Sequence, residues 1–419
     1  MTPAPNGLRE AHAHIAQHGR ALTMERLEAC AGLDDCLQRI ASAAERRDPS
    51  AWILGVGLRT EGWPEQRYPT ARELDAVSGP RPVCLWSFDH HALVVNSSGM
   101  RAVGVTPSTP DPPNGRIDRG SDGLPTGLML EAAAKMVWTA IPEPGPEERR
   151  IQVKAALQDL LSHGFTEIHD LLTPPWLGPV LAELDAAGQL PARILLYPRL
   201  EDVAAVHAGA RQWQRDRVRL AGAKLFADGT LNSRTAWMLH PYADPLPGLP
   251  RGQPMVTPVQ VRDAVAMTRD LGLGLAVHAI GDAAVRCVLD AYQDAGVRGH
   301  PLPRIEHAEI IDQADVPRFA QLGVVCSVQP CHLLTDVEAL HRGLPHRLGR
   351  VLPLRDLIAA GCRPGELLWF GSDVPIVRPH PQDSILAATT RRRESTPAAA
   401  AIAPEQAISS EEAWRAFAI

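Results

Sequence analysis

The feature of this sequence that most restricts its fold is a regular alternation of short apolar runs and helix-like segments from residue 150 onward. The apolar runs are rich in Val, Ile and Leu, as buried parallel strands are, and the segments between them have a helical period and end in glycine. With an opening strand in "GLREAHAHI", the candidate strands cover residues 7–15, 165–170, 193–200, 221–229, 274–282, 304–310, 323–330 and 367–375. Eight strand–helix units predict an α/β fold, a parallel (β/α)8 TIM barrel.

Residues 45–148 do not follow this alternation. The segment is rich in Pro and Gly, as in "STPDPPNGRIDRGSDGLPTG", and it also contains apolar runs such as "WILGVGL". Barrels carry their specificity loops as insertions at the carboxyl ends of strands. We therefore predict a single barrel domain over residues 1–419, with a large insertion at 45–148 after the first strand that covers the barrel mouth.

Composition excludes several classes of function. The 419 residues are 45% hydrophobic and 21% charged, as in an ordinary globular protein, and the net charge of -6 argues against a nucleic-acid surface. The sequence shows no signal peptide and no run of 18 apolar residues, and its seven cysteines include no CxxC pair. We expect a cytoplasmic protein that acts on a small molecule, without nucleic-acid or membrane partners, and with a homodimer as the candidate assembly.

Polar residues stand at the ends of the predicted strands, where the catalytic groups of a barrel converge. His12 and His14 are two residues apart on the first strand, so their side chains point to the same face. Such a pair is common by chance, but His278, His307 and Asp373 end three further strands. Four histidines and one aspartate from four strands of one barrel indicate a set of metal ligands rather than separate core residues.

Lys224 lies in the apolar stretch "GAKLFADG" of a chain whose only other lysines are Lys135 and Lys154. A buried lysine loses its proton readily, and the neutral amine can then attack a carbonyl to give a Schiff base or take up carbon dioxide to give a carbamate. A carbamate has two oxygens that can bridge two divalent ions, and the surrounding histidines favour it. The structural alternative is an ion pair of Lys224 with Asp228 or Asp170.

Longer stretches carry a resemblance to a known family. They are "HAIGDAAVRCVLDAY", "RIEHAEIID", "VVCSVQP", "FADGTLNSRTAWM", "DHHALVVNSSGMRAVGV" and "DPPNGRIDRGSDGLPTGLMLEAA". These stretches resemble the amidohydrolase superfamily, and specifically its YtcJ-like branch, to which N-substituted formamide deformylases belong. The resemblance covers nearly the whole chain. It implies a TIM barrel with a metal centre that hydrolyses non-peptide C–N bonds in amides or formamides.

The resemblance also implies a set of ligands. In similar enzymes, the first-strand histidine pair and the last-strand aspartate hold one ion, two further histidines hold a second, and a carboxylated lysine bridges the two ions. By position, these residues are His12, His14, Asp373, His278, His307 and Lys224. Zinc is the expected ion, although manganese and iron accept the same ligands. Such an ion lowers the pKa of bound water, and Asp373 is placed to take the proton of that water and pass it to the leaving amine.

The chain departs from the family pattern in two features. Members usually have a small β-sandwich, formed by strands before the first barrel strand and after the last helix, and here we expect a barrel that lacks it. The acidic residue before the histidine pair is Glu10, where an aspartate is usual.

Further residues are predicted to support the ligands or to contact the substrate. Glu10 and Glu306 are close in sequence to ligands and are expected to hold the imidazoles. Asp282 is expected to do the same, or else to cap the helix that follows it. His169 ends the second strand and is expected to support the site rather than to bind metal. The candidate substrate contacts are His90, His91, Arg234 and His332.

Three other functions stay open at this point. A mononuclear zinc aminohydrolase (deaminase) would use His12, His14, His278 and Asp373 around one ion, with an unmodified lysine. A Schiff-base aldolase would use Lys224 without metal, but it would leave four converging histidines unexplained. A catalytically inactive barrel would keep these residues by descent, against the cost of unpaired buried charge.

Overall fold

The computed structural model describes residues 7–87, 92–113, 115–297, 301 and 303–419. Its strands are β1 (Leu8–Ala13), β2 (Glu25–Arg26), β3 (Ile53–Leu58), β4 (Val83–Ser87), β5 (Ala92–Val95), β6 (Gly115–Arg119), β7 (Pro125–Glu131), β8 (Phe165–Leu171), β9 (Arg193–Tyr197), β10 (Val218–Leu220), β11 (Gly222–Phe226), β12 (Gly274–Ala279), β13 (Pro303–His307), β14 (Val325–Val328) and β15 (Leu368–Phe370). Its α-helices are α1 (Ile15–Leu22), α2 (Leu33–Arg46), α3 (Ala71–Ser78), α4 (Ser97–Ala102), α5 (Ala132–Ala140), α6 (Pro146–Ser162), α7 (Leu177–Ala186), α8 (Val203–Trp213), α9 (Pro258–Asp270), α10 (Asp282–Ala295), α11 (Val316–Leu322), α12 (Leu333–Gly343), α13 (Leu354–Ala359), α14 (Pro381–Thr390) and α15 (Ser410–Ala416).

The chain forms two compact units, Met1–Gly19 with Arg149–Ile419, and Arg20–Glu148. The first unit contains two parallel sheets, with strand orders β1-β8-β9-β10 and β11-β12-β13-β14-β15. Isolated parallel bridges link these sheets on both sides, from Ala13 to Val374 and from Arg199 to Lys224. The mixed α/β fold with parallel sheets is therefore confirmed, and each predicted strand position of this unit contains a strand.

Local sequence explains why these elements form where they do. Every residue of β12 is buried, as expected of a strand covered on both faces. Helix α9 begins at a capping box, in which Thr257 and Gln260 satisfy each other's backbone N–H groups. Helix α10 ends at Ala295, and the residue after it, Gly296, has a φ of 62°, which suits glycine. Buried apolar residues from these strands and helices form one large core cluster.

The second unit is built on a six-stranded sheet of order β2-β3-β4-β5-β7-β6. Its pairs β2–β3 and β3–β4 are parallel, and the others are antiparallel. Alternate residues of β3 and β5 belong to two separate apolar clusters, one with Ile53 and Val94 and the other with Leu54 and Val95, as the two-residue period of a strand requires. Residues 45–148 lie within this unit, and their role as an insertion over a barrel mouth stays a prediction.

Among the described residues, no helix combines the length and the apolar character that crossing a bilayer requires.

Candidate metal centre

The predicted ligands converge at one cavity in the first unit. This cavity has a volume of about 540 Å³, and its wall includes all six of them. They come from the carboxyl ends of the parallel strands or from the residues just after them, and each is less than a tenth exposed. The six residues are His12, His14, Lys224, His278, His307 and Asp373.

Asp373 joins the two first-strand histidines. Its Oδ1 lies 3.3 Å from Nε2 of His12 and 2.8 Å from Nε2 of His14. Each ring is held from behind through its other nitrogen, because Nδ1 of His12 lies 2.8 Å from Glu306 and Nδ1 of His14 contacts the Leu171 carbonyl. Both imidazoles are therefore oriented before any ligand binds.

Glu10 ties the first strand to the segment that carries Asp373. Its carboxylate accepts the backbone N–H of His12 at 3.0 Å and the N–H and hydroxyl of Ser372, both at 2.9 Å. Burial raises the pKa of Glu10 to about 7. It therefore orients the backbone around the histidine pair rather than touching an imidazole.

A buried arginine supports the carboxylate behind His12. Arg304 donates from Nε to Glu306, and from Nη2 to the carbonyl of Ala11 at 2.6 Å. Its Nη1 lies 2.8 Å from Nδ1 of His169, which therefore supports this network from the second strand of the sheet. Sequence reasoning missed Arg304, although its position two residues before Glu306 on β13 places both side chains on one face.

Lys224 and His307 have no such support. Among the described residues, Nζ of Lys224 and Nδ1 of His307 are buried without a hydrogen-bond partner. Burial lowers the pKa of Lys224 to about 8 and that of His307 well below its usual range. Nζ of Lys224 has no hydrogen bond to Asp228 or Asp170. Those carboxylates accept hydrogen bonds from other groups.

His278 completes the ring of imidazoles. Its ring centroid lies 4.5 Å from that of His307, and its Nε2 lies 3.0 Å from the Gly229 carbonyl and 3.5 Å from Asp228. The carboxylate of Asp228 accepts the backbone N–H groups of Ile280 and Gly281, and burial raises its pKa to about 7. Asp228 is thus the carboxylate beside His278.

The carboxylate of Asp282 bonds a backbone N–H group and an arginine. Asp282 is the first residue of α10, immediately after the N-cap Gly281, and its carboxylate accepts the Leu239 N–H at 2.7 Å and contacts Arg347.

The sequence pattern of the amidohydrolase family matches residues 5–419. The chain belongs to the amidohydrolase family. It is similar to the amidohydrolase YtcJ of Bacillus subtilis (strain 168), with 28% identity over 92% of this chain and 73% of that protein. It is also similar to an N-substituted formamide deformylase of Arthrobacter pascens, with 27% identity over 93% of this chain and 73% of that protein. The resemblance carried by the motifs is confirmed.

Solved structures of metal-dependent hydrolases are similar to this chain. A crystal structure of an uncharacterized metal-dependent hydrolase from Pyrococcus horikoshii OT3 matches 98% of this chain and 79% of that chain, with a TM-score of 0.80 and 25% identity. A second such hydrolase, from Pyrococcus furiosus, has the same TM-score and 26% identity. The family and these neighbours support a hydrolase that uses a divalent metal.

The donor atoms of this amidohydrolase fit such an ion. Two sets of three residues each offer ligand atoms that all lie within 4.8 Å of one another. One set is His12, His307 and Asp373, and the other is His307, Glu309 and His332. Imidazole nitrogens and carboxylate oxygens are the donors that zinc and similar divalent ions prefer. The unpartnered nitrogen of His307, a member of both groups, is a further sign of a missing partner.

Glu309 is a cavity residue that sequence reasoning missed. Its Oε1 lies 3.6 Å from Nδ1 of His332, whose Nε2 lies 3.9 Å from Oδ2 of Asp373. Burial by itself lowers the pKa of His332, but the two carboxylates raise it to about 9. Both residues line the cavity. The available signal was the position of Glu309 two residues after His307 in "EHAEI".

Of the other predicted substrate contacts, Arg234 is the one that the structure describes, and it does not line this cavity. Arg234 bonds Asp244 through its Nη1 at 3.1 Å. His90 and His91 lie outside the described residues.

Backbone strain coincides with two of the ligands. His307 has a φ of 71° and Asp373 a φ of 63°, values that residues other than glycine rarely adopt. Conformations of this kind cost about 1–3 kcal/mol each and cluster at functional sites.

Proposed function

We propose that this amidohydrolase cleaves a non-peptide C–N bond, in an amide or an N-substituted formamide, at two zinc ions bridged by a carboxylated Lys224. The observation that carries the proposal is the buried Nζ of Lys224, which faces the cavity without a hydrogen-bond partner among the described residues. Carbon dioxide adds to the neutral amine, a bond forms between Nζ and carbon, and one proton is released. The resulting carbamate is an anion whose two oxygens would be able to hold two cations among the surrounding imidazoles.

We further propose that the two parallel sheets of the first unit close into one (β/α)8 barrel, with residues 45–148 as the insertion after its first strand. The bridges from Ala13 to Val374 and from Arg199 to Lys224 support closure on both sides. Parallel barrels place their catalytic groups at the carboxyl ends of the strands, which is where these ligands lie.

Each residue of the centre then has a role. The ions, when bound, lower the pKa of water and polarise the substrate carbonyl. His12, His14 and Asp373 would hold one ion, and His278 and His307 would hold the other. Lys224, once carboxylated, would contact both.

Asp373 is the proton carrier of the proposal. Burial by itself raises the pKa of its carboxyl, but His12, His14 and His332 hold that pKa well below its usual range. The ionised carboxylate accepts a proton from the attacking water and passes it to the nitrogen of the leaving amine. Protonated His332, beside Oδ2, donates a hydrogen bond to the carbonyl oxygen or to a carboxylate of the substrate.

Metal content per chain tests the bridged centre. Protein grown with added zinc and bicarbonate is expected to contain two ions, and Lys224→Ala is expected to contain one or none. Lys154→Ala, which removes an exposed lysine on α6, is the matched control and is expected to keep both ions. One ion that is unaffected by Lys224→Ala would favour the mononuclear deaminase, and no ion in either protein would favour the inactive barrel.

Product analysis tests the reaction. Incubation with a panel of N-substituted formamides and amides is expected to release formate or another carboxylate together with the amine. Release of ammonia from an aminated ring, without any hydrolysis of these amides, would replace the proposal with deamination.

A further inference from the structure

The cavity wall carries a carboxylate that the proposed centre does not use. Asp336 lies in the first turn of α12, is 7% exposed and is one of the residues that line the cavity. Both hydrogen bonds that described residues donate to it go to Oδ1, from Nδ2 of Asn232 at 2.8 Å and from the Thr335 hydroxyl at 3.4 Å. The other oxygen, Oδ2, is therefore left available to a molecule in the cavity.

A capping role does not account for this carboxylate. Aspartates near the start of a helix commonly accept backbone N–H groups of the first turn. The N-cap of α12 is His332, with no side-chain capping bond, and the donors to Asp336 in the described part of the chain are both side chains. The local structure of α12 therefore gives no reason for a buried aspartate at this position.

Asp336 differs from the other two carboxylates of the cavity wall in its partners. Oδ1 of Asp373 lies 2.8 Å from Nε2 of His14, and Oε1 of Glu309 lies 3.6 Å from Nδ1 of His332. Asp336 forms no ion pair with a lysine, arginine or histidine among the described residues, and the described wall contains no arginine. Burying an unpaired carboxylate is costly, so a cation that enters the cavity would complete this part of the wall.

We propose that Asp336 binds a cationic amine on the substrate, and that the substrate class is an N-substituted formamide whose N-substituent carries a primary ammonium group. This inference rests on the proposed hydrolysis. A formamide has only hydrogen on its acyl carbon, so the N-substituent is the part that occupies the cavity of about 540 Å³. An ammonium has three N–H donors and gives Oδ2 the charged partner that it lacks.

The position of Asp336 relative to the proposed centre suits such a substrate. Asp336 follows His332 by four residues, so their side chains lie on one face of the helix, with Cβ atoms about 5–6 Å apart. His332, beside Asp373, is the proposed partner of the substrate carbonyl. A short aliphatic chain spans one helical turn between the cleaved bond and the ammonium. Apolar wall residues, among them Leu231 and Ile280, suit the methylene groups of that chain.

A pair of formamides tests the preference for a cation. In one, the nitrogen carries a four-carbon chain that ends in a primary amine, and in the other a methyl group replaces that amine. The wild type is expected to cleave the first with a kcat/KM about 10–100-fold higher, because a hydrogen bond to a charged group is among the stronger ones. Asp336→Asn is expected to lose this preference through a higher KM for the amine, with cleavage of the methyl-ended formamide unchanged. Asp290→Asn, which changes an exposed aspartate on α10, is the matched control and is expected to keep the preference.

The outcomes separate this inference from the proposed function. Equal cleavage of both formamides by the wild type, or a preference that survives Asp336→Asn, overturns the role of Asp336 and leaves the hydrolysis intact. If neither formamide is cleaved, the proposed function is lost, and calorimetric titration with the four-carbon diamine decides by itself whether Asp336 binds an amine. The diamine is expected to bind the wild type about tenfold or more tightly than Asp336→Asn, and equal affinities would overturn the inference.

Discussion

The two halves of the proposed catalytic centre differ in how the protein holds them. In the first half, His12, His14 and Asp373 are bonded to one another and to Glu306 and backbone groups behind them. In the second half, Nε2 of His278 lies 3.0 Å from the Gly229 carbonyl, but Lys224 and His307 each have a buried nitrogen without a hydrogen-bond partner among the described residues. A buried polar group left unpaired costs about 1–3 kcal/mol. The protein thus orients the first half by itself and leaves Lys224 and His307 to be completed by what binds there.

The largest expected effect concerns the first half. Asp373→Asn removes the proposed proton acceptor, and we expect hydrolysis of an N-substituted formamide to slow by about 10²–10⁴-fold, measured as kcat. Asp383→Asn is the matched control, because that carboxylate binds Arg378 instead and is expected to leave kcat unchanged. A loss below about tenfold for Asp373→Asn would show that the proton goes elsewhere.

A smaller effect, on metal affinity, is expected for Glu306, which bonds Nδ1 of His12. Glu306→Gln keeps the size of the side chain but removes the charge that faces Nδ1 of His12, and such partners contribute about 10–100-fold to metal affinity. Chelator competition would measure this affinity. If it does not change, the orientation of His12 does not depend on the carboxylate, and the contrast between the halves weakens.

For the second half, we expect a substitution to stabilise the metal-free protein. Lys224→Met removes an unpaired buried amine, so we expect unfolding in urea after chelation to require about 1–3 kcal/mol more than for the wild type. The same variant is expected to bind fewer ions. Destabilisation of the metal-free variant would mean that Lys224 has a stabilising partner, and the two halves would then be alike.

The smallest expected effect concerns Glu412, whose contribution to stability we expect to be independent of the metal. Glu412 caps α15 and bonds Arg355, and this hydrogen bond first of all lowers its pKa from 4.5 to about 2. The folded state therefore binds this proton less tightly than the unfolded state, so the stabilisation is complete above pH 4.5 and is lost as the pH falls through 2. Glu412→Gln is expected to cost about 1 kcal/mol at pH 7 and progressively less as the pH falls from 4.5 through 2.

The cost of Glu412→Gln is expected to be the same with and without metal, whereas the effect of Lys224→Met on stability is expected to depend on the metal. Melting temperatures over this pH range would measure it. A cost of Glu412→Gln that changes on chelation would show that the metal centre affects α15.

Much of the centre was predictable because its ligands break a local pattern. His278 lies one residue before the end of the otherwise apolar β12, His307 is the last residue of β13, and Lys224 is one of three lysines in the chain. The supporting residues carry no such mark. Arg304 and Glu309 each resemble ordinary surface residues in sequence, and only their burial beside Glu306 and His332 gives them a role.

The sequence by itself determined the positions of eight strands of the first unit, the candidate ligands near their ends and the family, because strand period, apolar content and motif spacing are properties of short stretches. Only the tertiary structure decided which carboxylate holds which imidazole and which nitrogens stay unpaired. His12 and Glu306 are 294 residues apart, and His18 and Asp159 are 141 apart, and no local pattern records such a pairing. The physical reason is that hydrogen bonds act over about 3 Å, a distance that folding alone creates between remote residues.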